Sequence, residues 1–379
     1  MVPGLYVHIP FCRSRCGYCH FVTDPWSEAL AERYCGAVCR EIASQTPGAP
    51  QAGAADSVYF GGGTPSLIPA RHIERLLDAL RASVGFTRDC EVTLEANPET
   101  ISPKKAEAWL AMGVNRVSVG AQSFVDAELK AVGRRHDARA ARNSIRALRQ
   151  TGFDNLSLDL ILGLPGQSRE SWGCTLEASL EAAPDHLSVY MLDLDDAHAP
   201  LRQHVASGDW TLPEEDLVAD LYAETVERLQ KGGLMQYEIS NFCRGGCECR
   251  HNLKYWECLP VLGFGVAAHS YDGRERYANV SDLAGYLDCV ESGRTAVAER
   301  RVVSRLQGIE ESLFLGLRLN RGVSLEGIRR RYGGAIPPAM EAALATMTGE
   351  GLTERLGEIV RLTARGRLLS NEVFSALIQ

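Results

Sequence analysis

The chain has 379 residues, 45% of them hydrophobic and 23% charged, which is enough for one large domain and a smaller one. Its formal net charge of −8 argues against a protein that coats nucleic acid or anionic membranes through bulk electrostatics. No apolar run approaches the roughly 18 residues of a membrane span, the start has no secretory pattern, and 12 cysteines are too sparse for a disulfide framework. We therefore expect a cytoplasmic protein, with any membrane association made through a partner.

Six short runs of β-type composition recur along the chain, and helix-like stretches separate them. The runs cover residues 5–11, 57–63, 90–97, 116–123, 156–165 and 186–193. Strands that alternate with amphipathic helices predict βαβ units and a parallel sheet. A surface loop rich in Pro, Gly and Ala is predicted at residues 43–56.

Polar residues and glycines stand at the C-terminal ends of these predicted strands. They are Gly61, Gly62, Gly63, Thr64, Glu95, Gln122, Asp159 and Tyr190. In a β/α barrel the C-terminal ends of the strands form the active face. Several strands that aim polar groups at one rim favour an α/β barrel over an open doubly wound sheet.

The pattern becomes helical beyond about residue 295, and two short strand-like runs precede the last helix. This arrangement is typical of a winged-helix-like module. Arg and Glu are interleaved there, without the strong basic face of a DNA reader, so we expect a packing or substrate-covering module and no nucleic-acid partner. An iron–sulfur sensor that uses this module on DNA is the less favoured alternative. The predicted divisions are 1–240 for the barrel, 241–295 for a barrel-closing segment and 296–379 for the module.

Three cysteines, Cys12, Cys16 and Cys19, follow the first predicted strand with the spacing C-x3-C-x2-C. A [4Fe–4S] cube has four irons held by thiolates, so three cysteines on one loop leave one iron open. An open metal position is where a ligand binds and reacts. The alternative is a zinc site completed by His20, but adjacent ligands such as Cys19 and His20 point in divergent directions.

This cysteine motif, with Tyr18 before its last member, resembles that of the radical S-adenosylmethionine (SAM) enzymes. A second resemblance, to the oxygen-independent coproporphyrinogen III dehydrogenase (HemN) group and most of all to its HemW-like haem-chaperone branch, rests on the stretches YVHIPFC, YFGGGTPS, LEANPE, GVNRVSVGAQSF, LDLILGLPGQ, YEISNF and RHNLKYW. It implies a partial (β/α)6 barrel whose open cluster iron chelates SAM. If the protein is catalytic, the resemblance implies reductive cleavage of SAM to a 5′-deoxyadenosyl radical.

The resemblance also assigns SAM-site residues. In that group the aromatic positions Tyr6 and Tyr18 flank the cluster and its nucleotide, and Gly62, Gly63 and Thr64 contact the methionyl part. Glycines without Cβ let the backbone approach a ligand closely. The other polar contacts to SAM fall on Glu95, Gln122, Arg134 and Asp159. For Glu95 and Asp159 the alternative is salt bridging at the barrel rim.

Two departures favour the haem-chaperone branch over the dehydrogenase. The dehydrogenase carries a further cysteine where this chain has Phe21, and it has a long N-terminal arm, whereas the first ligand here is Cys12. One feature fits that branch less well, because His20 stands where its members usually have Asp.

The stretch HNLKYW (251–256) is similar to a motif implicated in haem binding in that branch. It makes His251, Asn252, Tyr255 and Trp256 candidates for binding haem or substrate. Histidine is a common axial ligand of haem iron, and Tyr and Trp offer flat apolar surface. The alternative is that these residues only pack a loop that closes the barrel. A second metal or redox site at Cys243, Cys247 and Cys249 is less favoured than reduced thiols.

The resemblance implies a protein that binds haem and SAM and delivers haem to an acceptor such as a membrane respiratory enzyme, with a one-electron donor such as flavodoxin or ferredoxin. The alternatives are coproporphyrinogen III dehydrogenase and a related radical SAM methyltransferase or cyclopropanase.

Overall fold

The computed structural model describes residues 2–45, 53–193 and 200–378. Half of the predicted loop at 43–56, residues 46–52, therefore lies outside the described residues, whereas residues 43–45 are helical and residues 55–56 belong to a strand. Strands and helices alternate through the first part of the chain, as the sequence predicts. The elements are β1 (Gly4–Ile9), β2 (Phe11–Cys12), β3 (Asp24–Pro25), α1 (Glu28–Gln45), β4 (Ala55–Gly62), α2 (Ala70–Ser83), β5 (Phe86–Ala96), α3 (Pro103–Ala111), β6 (Arg116–Gln122), α4 (Asp126–Ala131), α5 (Ala138–Thr151), β7 (Leu156–Leu162), α6 (Arg169–Glu181) and β8 (His186–Met191).

Six of these strands form parallel pairs in chain order, β1-β4-β5-β6-β7-β8. This is the predicted set of six βαβ strands, and the α/β fold class is confirmed. Alternate residues of each strand face opposite sides. On one side Leu5, Val7 and Ile9 of β1 join the core that the helices cover. On the other side the strands carry polar residues, which line the inside of the partial barrel.

The sheet continues beyond both ends of this parallel set. The elements are α7 (Pro200–Ala206), α8 (Glu215–Lys231), β9 (Met235–Gln236), β10 (Asn241–Cys243), α9 (Arg250–Trp256), β11 (Val261–Phe264), β12 (His269–Tyr271), β13 (Glu275–Asn279), α10 (Leu283–Glu291) and β14 (Val297–Val302). Strand β11 pairs parallel with β1, and β12, β13 and β14 follow as antiparallel neighbours. The twelve-stranded sheet is therefore open rather than a closed barrel.

A second hydrophobic core, which contains Ile309, Leu313, Met340 and Val373, forms in the C-terminal part. Its elements are α11 (Arg305–Leu317), β15 (Val323–Ser324), α12 (Leu325–Tyr332), α13 (Pro338–Gly349), β16 (Thr353–Leu356), β17 (Ile359–Leu362), α14 (Ala364–Leu368) and α15 (Ser370–Leu377). The three short strands make one small sheet beside the helices. Strand β14 still belongs to the large sheet, and the predicted domain divisions stay predictions. None of the described helices has the length and apolar character that crossing a bilayer requires.

Candidate functional site

A cavity of about 360 Å³ lies at the carboxyl ends of the parallel strands. The loop after β1 forms one wall, and residues at the ends of β4 to β8 form the others. The cavity is lined by Cys12, Cys16 and Cys19 and by eight of the nine residues predicted to contact SAM, namely Tyr18, Gly62, Gly63, Thr64, Glu95, Gln122, Arg134 and Asp159. Residues far apart in the sequence thus meet at the rim where a β/α fold carries its chemistry.

The three cysteines lie on one loop held by backbone hydrogen bonds. The N–H of Cys19 donates to the carbonyl of Cys16 at 3.2 Å, and Trp26 N–H donates to the carbonyl of Cys12 at 3.2 Å. Burial raises the pKa of the Cys12 thiol to about 11. Burial thus favours the protonated thiol. A bound metal reverses this preference, because a coordinating thiol loses its proton.

The donor set suits a cluster better than a single ion. Among residues 2–45, 53–193 and 200–378, no three His, Cys, Asp or Glu side chains converge closely enough to hold one metal ion. An iron–sulfur cube separates its thiolates more widely than one ion does, so three thiols that face a common cavity fit the cube. The imidazole Nε2 of His20 lies 3.3 Å from the carbonyl oxygen of Asp193.

Gly62, the last residue of β4, and Gly63 after it have no room for a side chain. A Cβ atom on Gly63 would lie 2.9 Å from the carbonyl oxygen of Phe11 and 3.0 Å from Cys12 Sγ. At Gly62, where φ is +112°, a Cβ atom would lie 2.6 Å from the ring of His8. Because these glycines have no Cβ, the backbone of the cysteine loop packs closely against the end of β4, and this packing does not depend on a bound ligand.

Arg134 connects the cysteine loop to the strand ends. Its Nη2 donates to Asn97 Oδ1 and to the carbonyl of Gly120, both at 2.8 Å, and its Nη1 lies 3.7 Å from Cys16 Sγ. Asn97 Nδ2 in turn donates to Thr64 Oγ1 at 3.1 Å. Sequence reasoning did not single out Asn97, although its position directly after β5, within LEANPE, is a signal that could have identified it.

Two half-buried carboxyl groups face the cavity without an ion pair to another described residue. Glu95 accepts hydrogen bonds from the Tyr59 hydroxyl at 2.8 Å and from the Gly62 N–H at 3.2 Å, and burial raises its pKa to about 7. Asp159 accepts from the Ser118 hydroxyl at 3.1 Å, and burial raises its pKa also. The contacts are to hydroxyl and amide donors, so rim salt bridges do not account for these residues.

Of the two remaining residues predicted to contact SAM, Gln122 lines the cavity and Tyr6 does not. Gln122 lines the cavity with a left-handed backbone (φ 65°), a strained conformation of the kind found at functional sites. Tyr6 does not line the cavity. Its ring lies deeper in the barrel, 6.3 Å from the rings of Tyr59 and His251, and its hydroxyl is 3.1 Å from His8 Nδ1.

The HNLKYW stretch forms α9 at the opposite, amino-terminal end of the strands. His251 is buried there, with Nδ1 3.2 Å from Ser57 Oγ and Nε2 3.1 Å from the Tyr255 hydroxyl. Burial lowers its pKa to about 3. Tyr255 is 37% exposed, and with Trp256 it lines a second cavity. Asn252 is half-buried. None of these four residues lines the cluster cavity. The His251 ring contacts that of Tyr255, but His251 does not line the second cavity with Tyr255 and Trp256.

Cys243, Cys247 and Cys249 lie between the end of β10 and the start of α9. Cys243 and Cys249 are buried and Cys247 is half-buried. Cys249 Sγ lies 3.7 Å from Glu91 Oε1. In the described part of the chain no three His, Cys, Asp or Glu side chains around them form a group that could hold one metal ion.

The chain is similar to known proteins over most of its length. The sequence matches the Radical SAM superfamily over residues 6–178 and the HemN C-terminal domain over residues 303–369. It is 33% identical to the heme chaperone HemW of Bacillus subtilis over 98% of each chain, and 39% identical to that of Synechocystis sp. over 86% of this chain and 80% of the other. The structure of coproporphyrinogen III oxidase (HemN) from Escherichia coli superposes with a TM-score of 0.87 at 26% identity, covering 99% of this chain and 90% of that one. The resemblance predicted from the motifs is confirmed: the chain belongs to the HemW-like branch of the HemN group in the radical SAM superfamily.

Proposed function

We propose that this protein holds a [4Fe–4S] cluster and SAM at the carboxyl ends of its strands and binds haem as a cargo that it delivers to an acceptor. The observation that carries the cofactor part is that three cysteines and eight predicted SAM contacts surround one cavity. The haem part is supported by similarity, over nearly the whole chain, to proteins named heme chaperones.

The residues present divide the work of holding the cofactors. Cys12, Cys16 and Cys19 would ligate three irons and leave the fourth for SAM. When bound, the cluster and SAM supply one-electron chemistry. Arg134 holds the strand ends and the loop together, and the half-buried carboxyl groups of Glu95 and Asp159 offer hydrogen-bond acceptors for a nucleoside.

The partners belong to the same proposal. A cluster that works by one-electron chemistry needs a small electron donor such as flavodoxin or ferredoxin. Haem delivery needs an acceptor, for which a membrane respiratory protein is our candidate. We place the protein in the cytoplasm, with the acceptor providing any contact with the membrane.

One anaerobically reconstituted sample can test both parts. SAM binding is measured by equilibrium dialysis, and hemin binding by titration of the Soret band. Asp159→Asn should weaken SAM binding by about tenfold, which corresponds to one lost charged hydrogen bond. The matched control is Asp154→Asn, since that aspartate is exposed on the loop before β7. A wild-type sample that binds no hemin would contradict the cargo, and equal SAM affinity of the two variants would contradict the site.

A second candidate is coproporphyrinogen III oxidase activity, which is favoured by the superposition on HemN over 99% of this chain and 90% of that one. Phe21 occupies the position of the further cysteine expected by resemblance in that enzyme, and its ring is 60% exposed. Incubation with coproporphyrinogen III, SAM and a reductant decides the matter: protoporphyrinogen would support this activity, and a methylated or cyclopropanated product would indicate the related radical SAM transferases.

A further inference from the structure

On the concave face of the sheet, helix α9 separates the cluster cavity from a second cavity. Its inner side packs on the start of β1, where a Cβ atom on Gly4 would lie 2.7 Å from Lys254 Cδ and 3.1 Å from His251 Nδ1. Its outer side lines a second cavity of about 430 Å³, bounded by the sheet extension and by α11. We call this second cavity the outer groove. Its apolar lining includes Tyr255, Trp256, Val261, Tyr271, Phe314 and Leu315.

Strand register places a row of residues along the floor of the outer groove. Val261 pairs with Tyr271, Tyr271 with Arg276, and Arg276 with Arg301. Directly opposed residues of neighbouring strands share one face of the sheet. The row therefore begins with two apolar side chains, Val261 and Tyr271, and ends with two guanidinium groups, those of Arg276 and Arg301.

These guanidinium groups leave an excess of positive charge. Arg276 pairs with Glu311 at 2.5 Å and its guanidinium lies 4.6 Å from the centre of the Tyr271 ring. Arg301 lines the groove, is exposed, and has no ion pair with another described residue. Like charges opposed across strands repel each other, and one carboxylate compensates only one of them. An anionic ligand at the open end of the groove would supply the missing charge. Glu299 lies on the same face but does not line the groove.

His269 completes the groove with a nitrogen donor. It stands two residues before Tyr271 on β12, so both side chains are on the same face of the strand. Its side chain is exposed and makes no hydrogen bond to another described residue. An accessible imidazole is a common ligand of haem iron.

The outer groove complements a ligand with three properties: a planar apolar ring, a metal that binds imidazole, and carboxylate groups. Haem combines all three. Building on the proposed haem cargo, we infer that haem lies in the outer groove, with His269 as its iron ligand and Arg301 as partner of a propionate. Tyr255 and Trp256 of the HNLKYW stretch then contact the macrocycle. His251 does not ligate the iron, because its ring is buried and both its nitrogens lie within hydrogen-bond distance of Ser57 and Tyr255.

The test is a hemin titration of the full chain, with the Soret band for affinity and magnetic circular dichroism for axial ligation. His269→Ala should weaken binding by at least about tenfold and remove the signature of nitrogen ligation, and free imidazole should restore that signature. Arg301→Gln should weaken binding by about threefold, the scale of one exposed charge pair. The second substitution His269→Gln guards against a local effect of the smaller side chain.

Two matched controls keep the result specific. Arg300→Gln alters the residue directly before Arg301 on β14. Arg300 faces the other side of the sheet and forms an ion pair with Glu275. His204→Ala removes another exposed histidine, which pairs with Asp209. Wild-type affinity and ligation in both His269 variants would overturn the inference while leaving the haem cargo standing. Failure of the wild type to bind hemin would instead overturn the proposed function.

Discussion

The Tyr255 hydroxyl lies 3.1 Å from His251 Nε2, and this contact joins the two compartments that α9 separates. His251 stacks on Tyr59, with ring centres 5.2 Å apart, and the Tyr59 hydroxyl donates to Glu95 at 2.8 Å. Glu95 lines the cluster cavity. A continuous series of side-chain contacts therefore runs through the barrel from the outer groove to the proposed SAM site.

Tyr255→Phe tests the contact at the centre of this series. The substitution keeps the ring and removes the hydroxyl, so a buried nitrogen of His251 loses its partner. We expect the free energy of unfolding to fall by about 1 kcal/mol in urea denaturation. A double-mutant cycle with His251→Ala isolates the pair, and additive effects of the two substitutions would contradict a direct interaction.

Cys16→Ser should prevent assembly of the cluster. A hydroxyl is a far weaker iron ligand than a thiolate, and two remaining thiolates cannot hold a cube that needs three. We expect iron and sulfide content after anaerobic reconstitution to fall to background. Cys174→Ser is the matched control because that thiol is exposed on α6 and should leave the content unchanged. Equal iron in both variants would refute the ligand assignment.

Arg134→Gln should loosen the wall between the cysteine loop and the strand ends. The guanidinium donates to Asn97 and to the Gly120 carbonyl, and its removal takes one hydrogen bond from each acceptor. We expect the free energy of unfolding to fall by about 2 to 4 kcal/mol and SAM binding to weaken. The neighbouring Arg135→Gln, at an exposed position, should do neither. Indistinguishable melting of the two variants would show that Arg134 has no such role.

The buried carboxyl group of Glu41 should make the free energy of unfolding depend on pH. This carboxylate is 3% exposed, accepts hydrogen bonds from Tyr286, Gly265 and Asn279, and has its pKa raised by burial from 4.5 to about 6. Because the folded pKa is the higher one, its stabilisation is fully present below about pH 4.5 and is lost as the pH rises through about 6.

Glu41→Gln has no proton to lose at this position. The free energy of unfolding of the wild type, relative to the variant, should therefore fall by about 2 kcal/mol between about pH 4 and about pH 7. Chemical denaturation of both proteins across this range measures the difference, and other titrating groups cancel. Parallel stability curves would contradict the raised pKa.

Much of the fold could be read from local pattern. The predicted run at 116–123 is the strand Arg116–Gln122, and that at 156–165 contains Leu156–Leu162. The β-type composition of a run and the Gly or polar residues at its end lie within a few positions of each other, so one sequence reveals them. The extension β11 to β14 was not predicted, because its strands are short and their pairing joins β11 to β1, more than 250 residues earlier.

The sequence by itself determined the chemistry of the molecule: three cysteines on one loop, the strand-end polar residues, and the family to which they belong. Only the tertiary structure decided which candidates share a compartment. In HNLKYW the one helical turn between His251 and Tyr255 puts their rings in contact, yet packing on Gly4 buries the first and the outer groove exposes the second. His269 and Arg301 join Tyr255 there through strand register, which depends on hydrogen bonds between distant segments that no local pattern records.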